Sequence, residues 1–169
     1  MDQVDRILAQ WRRERPDLDT GPMGLLGRLN RLAGHVAEAQ ARVFRDHGVS
    51  AAGFDVLATL RRSGEPYALT PSALIAWTMV TSGTMTNRLD RLEQDGLVER
   101  RLNPQDGRGW LVALTPTGFA LIDRLVAAHV ANQHRLLEGL SPALQADLDA
   151  ALKAWLALYE TDAPAGDVT

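Results

Sequence analysis

Apolar residues along the chain recur mostly with the helical spacing of three and four positions. A first stripe predicts a short helix that ends before Pro16. It consists of Val4, Ile7, Leu8 and Trp11. A longer helix over about residues 22–47 follows, and Ser50 caps a third helix that ends near Gly64.

Three Ser/Thr-Pro pairs mark further helix starts, because the hydroxyl can cap free backbone N–H groups and proline is tolerated at the first helical position. They are Thr70-Pro71, Thr115-Pro116 and Ser141-Pro142. These pairs predict a short helix to about Trp77, a long helix to about Leu140 and a last helix to about Tyr159.

Between the helices the apolar period changes from helical to alternating. Residues 97–102 and 110–114 predict two strands, and the composition of residues 103–109 predicts an exposed turn between them. Just before the first strand, Thr81 or Ser82 opens a helix that ends at Gly96. Two short helices followed by a hairpin predict a mainly α fold, a winged helix-turn-helix with a two-stranded β wing.

The predicted elements divide the chain into four segments. Residues 1–48 hold the N-terminal helix and a first dimerisation helix, and residues 49–115 form the winged helix-turn-helix region. Residues 116–160 form C-terminal dimerisation helices, and residues 161–169 form a flexible tail. Wide apolar faces on the flanking helices could close a monomeric core. We predict a homodimer instead, because two-fold symmetry gives a DNA-binding protein its half-site spacing.

Composition excludes several classes of function. The 169 residues include no cysteine, which excludes thiolate catalysis and cysteine-bound zinc. His129 and His134 point ~140° apart on one predicted helix, so we expect neither a metal nor another cofactor. No nucleotide-binding glycine motif or nucleophile elbow appears, and we expect no enzyme. Without a leader or a long apolar run, we expect a cytoplasmic protein that does not contact the membrane.

Net charge does not by itself favour DNA as a partner, since the formal value is −3. The helix over residues 82–95 is more informative. On a wheel of ~100° per residue, Met85, Leu89 and Leu92 face the core. The open side predicts contacts to base edges or phosphates in the major groove. The candidate DNA-binding residues of this helix are Ser82, Thr84, Thr86, Asn87, Arg88 and Arg91.

The hairpin turn adds a second predicted DNA contact. Arg108 at its tip is placed to enter a minor groove, and Asp106 can hold the guanidinium in position. The alternative is that these polar residues are merely solvated and that the winged helix binds only proteins. Salt-dependent binding to a palindromic duplex would separate the two interpretations.

Several motifs together resemble the MarR family of bacterial regulators. They are residues 69–74 (LTPSAL), 82–93 (SGTMTNRLDRLE), 96–100 (GLVER), 106–108 (DGR) and 114–118 (LTPTG). The resemblance implies a triangular homodimer on a palindromic operator, which commonly represses genes until a small, often anionic aromatic ligand releases it. Asp106 and Arg108 fill the family's Asp-x-Arg wing motif.

The N-terminal segment is similar to the urate-responsive branch of that family, which carries an added first helix. The branch is described as binding urate through a tryptophan, an aspartate and two arginines. The matching residues are Trp11, Asp55, Arg88 and Arg100. The resemblance implies urate or a related purine as ligand, with a phenolic or drug-like compound as the alternative. An anion near the two arginines would repel the aspartate and reorient the recognition helix.

Each of these four residues also has a plainer interpretation. Trp11 could be a core residue, and Asp55 could belong to a solvated face. Arg88 could contact a DNA phosphate, and Arg100 could form an ion pair with Glu99 or Asp95.

Overall fold

The computed structural model describes residues 1–78, 81–104 and 109–160. The helices of that part of the chain are α1 (Gln3–Glu14), α2 (Gly21–Asp46), α3 (Ala51–Arg62), α4 (Pro71–Thr78), α5 (Ser82–Gln94), α6 (Pro116–Leu137) and α7 (Pro142–Leu156). The strands are β1 (Ala68–Leu69), β2 (Val98–Leu102) and β3 (Trp110–Leu114). All predicted helices and both hairpin strands are confirmed to within about one helical turn at their ends. Among the described helices, none combines the length and the hydropathy needed to cross a bilayer.

Hydroxyl side chains begin most of the later helices. The side chains of Ser50, Thr81, Thr115 and Ser141 each accept a hydrogen bond from the backbone N–H three residues further on. Thr70 does the same for α4, where its Oγ1 lies 3.2 Å from the Ala73 nitrogen. The choice left open for α5 is thereby decided, since Thr81 rather than Ser82 is the N-cap.

The chain forms two compact units, Met1–Arg42 and Val43–Thr169. In the first unit, Val4 and Leu8 of α1 are buried against α2. The approach is close, because a Cβ on Gly24 would lie 2.9 Å from Leu8 Cδ1. The Arg28 guanidinium donates to Asp2 at 2.7 Å, and this hydrogen bond lowers the pKa of Asp2 to about 2. Small residues and ion pairs therefore hold these two helices together.

The core of the second unit is formed by α3, α4, α5, α6 and the sheet. Its largest fully buried side chains are Leu57, Leu60, Leu74, Met85, Ile122, Leu125, Val56 and Val112. The start of α6 lies so close to the chain after α5 that a Cβ on Gly118 would be 1.9 Å from the carbonyl oxygen of Leu97. The hydroxyl of Thr115 also donates to the Gly96 carbonyl at 2.7 Å. The end of α5 is thus joined firmly to α6.

The sheet contains a third strand that the hydrophobic pattern did not predict. Strand β1 pairs antiparallel with β3, which gives the order β1-β3-β2. The predicted two-stranded wing is confirmed as β2 and β3, and β1 adds a third strand to the sheet that contains it. A segment of two residues is too short to show an alternating pattern, and its strand conformation depends on pairing with β3, far along the chain.

Candidate nucleic-acid interface and adjoining pockets

Helix α5 has one buried side and one open side, as the wheel predicted. Met85, Leu89 and Leu92 are only 1%, 3% and 4% exposed. Thr84, Asn87 and Arg91 are exposed, and none of them packs into the core. The open side therefore presents a hydroxyl, an amide and a guanidinium, which are groups that recognise base edges and phosphates.

The remaining predicted DNA-binding residues have different positions. Ser82 and Thr86 are exposed near the start of α5, and the Thr86 hydroxyl donates to the Ser82 carbonyl at 3.1 Å. Arg88 is half-buried. Arg108 and its predicted support Asp106 lie outside the described residues.

A pocket of about 320 Å³ lies between the start of α3 and helix α5, and we call it the α3–α5 pocket. Residues between Gly48 and Gly53 form one wall. The other wall comes from α5 and its C-terminal end, with Thr84, Asn87, Arg88, Arg91, Leu92, Asp95 and Leu97. Three residues of the open side of α5 therefore also line this pocket.

Arg88 and Asp55 are brought together beside this wall of α5. The Arg88 Nη1 atom is buried and has no hydrogen-bond partner among the described residues. Desolvation raises the pKa of Asp55 above its usual 3.8, and the positive charge of Arg88 opposes that rise. An arginine nitrogen without a partner favours an acceptor or anion at this position.

Arg100 lies elsewhere, in a second pocket of about 360 Å³ that we call the α4–β3 pocket. Its other lining residues are mostly apolar: Pro71, Ile75, Ser82, Met85, Thr86, Leu89, Trp110 and Val112. The Arg100 guanidinium donates to Asp90 at 2.5 Å and also to Glu93. The hydrogen bond to Asp90 is the main reason that the pKa of Arg100 is raised.

The plainer interpretation of Arg100 as an ion-pair residue is confirmed, but its predicted partners are wrong. The predicted partners were Glu99 and Asp95, but the guanidinium contacts Asp90 and Glu93 of α5 instead. Neighbouring residues on a strand point to opposite faces, so Glu99 pairs with Arg101. The sequence contained a signal for this arrangement, since Asp90 and Glu93 are three apart and share a helix side.

Trp11 belongs to the other compact unit, and its side chain is 41% exposed. Val4 and Leu8, which share its apolar stripe, are buried. The interpretation of Trp11 as a simple core residue is therefore wrong, and its indole ring is available at the surface of α1.

Within residues 1–78, 81–104 and 109–160, no three metal-ligating side chains gather into a cluster. His129 packs against the rings of Phe44 and Phe54, with centroids 5.4 and 4.9 Å away, and burial lowers its pKa below 6.5. Packing against both aromatic rings therefore favours the neutral imidazole.

Comparison with known proteins identifies relatives along most of the chain. A sequence model described as the MarR family matches residues 47–109. The HTH-type transcriptional regulator PecS of Dickeya dadantii is 45% identical over 139 residues, which are 82% of this chain and 84% of PecS.

Solved structures agree with that relationship. A crystal structure of a mutant MarR from Escherichia coli complexed with operator DNA has a TM-score of 0.68 and 29% identity, covering 86% of this chain and 97% of the other. BpsR of Bordetella bronchiseptica, studied for the regulation of its DNA binding by 6-hydroxynicotinic acid, has a TM-score of 0.69 and 26% identity, covering 86% and 98%.

The fold and the polar side of α5 define a winged-helix transcriptional regulator rather than an enzyme. The chain belongs to the MarR family.

Proposed function

We propose that this protein is a homodimeric, cytoplasmic repressor that binds a palindromic operator through α5 and is released by urate or a related purine. The observation that carries the DNA part is the division of α5 into a buried apolar side and an open side with Thr84, Asn87 and Arg91. The related MarR structure is complexed with operator DNA, and the second helix of a helix-turn-helix generally enters the major groove.

The homodimer is supported by apolar side chains that the protomer leaves exposed. No residue of α7 is buried among the residues that the structure describes. Leu144, Leu148 and Leu152 recur every four positions on that helix and are 45%, 42% and 50% exposed. A row of leucines of this kind favours burial against a partner, and a second copy of the same chain offers the same row.

The ligand part rests on the α3–α5 pocket and on Arg88. Urate is a planar anion at neutral pH, and a guanidinium can pair with its carbonyl and deprotonated nitrogen edges. Beside Arg88, the resemblance implies Asp55 and Arg100 as ligand residues of the second compact unit, and it implies Trp11 of the first unit as a further ligand residue. Arg100 would have to leave Asp90 and Glu93 in order to reach such a ligand.

The phenolic or drug-like alternative is favoured by one observation. The α4–β3 pocket is lined largely by apolar side chains and carries a single cation, Arg100, among its described residues. That combination suits an aromatic ring that bears one acidic group.

A gel-shift titration tests the proposal. The intergenic DNA beside the protein's own gene is shifted by the wild-type protein, and then urate, xanthine and salicylate are added in separate series. We expect a shift that weakens with salt, because phosphate contacts release counterions, and release by urate at the lowest concentration. An Arg88→Ala protein that urate releases as readily as the wild type would remove Arg88 from the ligand site.

A further inference from the structure

We infer that an anion in the α3–α5 pocket and the DNA backbone exclude each other directly, because they compete for the same side chains of α5. This inference rests on the proposed function and concerns how the ligand causes release. It replaces a reorientation of α5 with a simple competition.

The competition follows from the walls of the pocket. Thr84, Asn87 and Arg91 line the pocket and are also the exposed residues of the open side of α5. A guanidinium or amide that pairs in bidentate fashion with a bound anion has its donors occupied. The same group is then no longer free for a phosphate or a base edge.

The charges at the pocket also support competition between a bound anion and the DNA backbone. Arg88 brings a buried Nη1 without a partner among the described residues, and Arg91 adds a second cation. Asp95 is the one carboxylate among the described lining residues, and Asp55 lies close enough to Arg88 for their charges to interact. A bound anion would cancel much of the remaining positive charge on this side of α5, and phosphates would be attracted less strongly.

The packing of α5 disfavours the alternative, a rotation of the helix. Its core side is almost completely buried, with Met85 only 1% exposed, and Thr81 caps its start. Its C-terminal end is held by the hydrogen bond from Thr115 to Gly96 and by the close approach of Gly118 to Leu97. A rotated α5 would lose this packing, whereas a competing ligand needs no movement of the helix.

Fluorescence anisotropy with a labelled operator distinguishes the two mechanisms. Urate is titrated against the full-length protein, and the apparent operator Kd is measured at each concentration. Direct exclusion predicts an apparent operator Kd that keeps rising with urate and reaches no plateau, by about 100-fold for each competing pocket of the dimer when urate is 100 times its own Kd. Allosteric release predicts a plateau at a fixed coupling factor. A plateau would overturn the inference while the proposed function stands.

Calorimetry supplies the reciprocal measurement. We expect urate to bind the free protein and not the protein saturated with operator, and binding to both would overturn direct exclusion. Arg91→Ala is expected to weaken urate and operator binding together, whereas Arg124→Ala, an exposed arginine of α6, serves as the matched control. If Arg91→Ala weakens operator binding but leaves urate binding unchanged, Arg91 does not contact both ligands and the inference is contradicted.

These measurements distinguish a failure of the proposed function from a failure of direct exclusion. A wild-type protein that shifts no operator refutes the proposed function, and direct exclusion falls with it. Operator binding without calorimetric binding of urate, xanthine or salicylate refutes the ligand part and direct exclusion, and leaves the DNA-binding part intact.

Discussion

The two sides of the recognition helix α5 each adjoin a pocket with an arginine, and the two arginines are in opposite electrostatic situations. Arg88 has a buried Nη1 without a partner among the described residues. The guanidinium of Arg100 is held by two carboxylates, Asp90 and Glu93. The charge that an anion encounters therefore depends on the neighbours of an arginine more than on the number of arginines.

This difference explains how a chain with a formal net charge of −3 can bind DNA. The carboxylates of α5 that neutralise Arg100 lie on its β2 side, away from the α3–α5 pocket. Arg91 on the open side forms no ion pair with a described carboxylate at salt-bridge distance. Local segregation of charge thus leaves one cationic side on an acidic protein.

The largest expected effect comes from removing a buried core side chain of α5. Leu89→Ala should lower the free energy of unfolding by about 2–5 kcal/mol, because a fully packed leucine leaves a cavity. Urea denaturation measures the change. Leu102→Ala on β2 is the control, since Leu102 is 65% exposed, and we expect a change within about 0.5 kcal/mol. Equal losses in the two variants would contradict the assignment of Leu89 to the core.

Removing Arg91, which has no ion-pair partner among the carboxylates that the structure describes, should have the next largest effect. Arg91→Ala is expected to weaken operator binding by about 1–3 kcal/mol, since it removes a contact to a base or phosphate. Gel shifts at several salt concentrations measure both the loss and the salt slope. Operator affinity equal to that of the Arg124→Ala control would show that the open side does not meet DNA.

Removing the two carboxylates that pair with Arg100 should make its electrostatic surroundings more like those of Arg88. In an Asp90→Asn and Glu93→Gln double variant, we expect a stability loss of at most about 1 kcal/mol, because these side chains are partly exposed. The pKa of Arg100 should fall toward its ordinary value. Salicylate affinity, measured by calorimetry, should rise, because the α4–β3 pocket would contain an unpaired guanidinium. Unchanged affinity would show that Arg100 does not set the anion preference of that pocket.

The smallest expected effect concerns Asp55, whose pKa is raised in the folded protein. A carboxyl whose pKa is raised by folding stabilises the folded protein when it is protonated. This contribution to the free energy of unfolding is lost as the pH rises above 3.8 and through the raised pKa. Asp55→Asn should remove this loss. The difference in urea midpoint between variant and wild type should therefore grow in favour of the variant as the pH rises from 3.8 toward neutrality. A difference that does not depend on pH would contradict the raised pKa.

Local patterns were sufficient to predict most of the elements and the orientation of α5. Serine and threonine caps act on backbone groups three residues away, and the burial of Met85, Leu89 and Leu92 follows from helical periodicity alone. The grouping of the four candidate ligand residues was not predictable in the same way. Asp55, Arg88 and Arg100 lie on α3, α5 and β2, and the packing of these elements places Asp55 beside Arg88 but Arg100 in the α4–β3 pocket.

Amino-acid order alone was enough to establish the winged-helix layout and the polar side of α5, because both arise from contacts between residues a few positions apart. Packing between distant segments decided the rest: the pairing of Ala68 and Leu69 with β3, the capture of Arg100 by Asp90 and Glu93, and the pocket wall shared by Asn87 and Arg91. Such contacts join residues that no local period relates, so they exist only once the chain has folded.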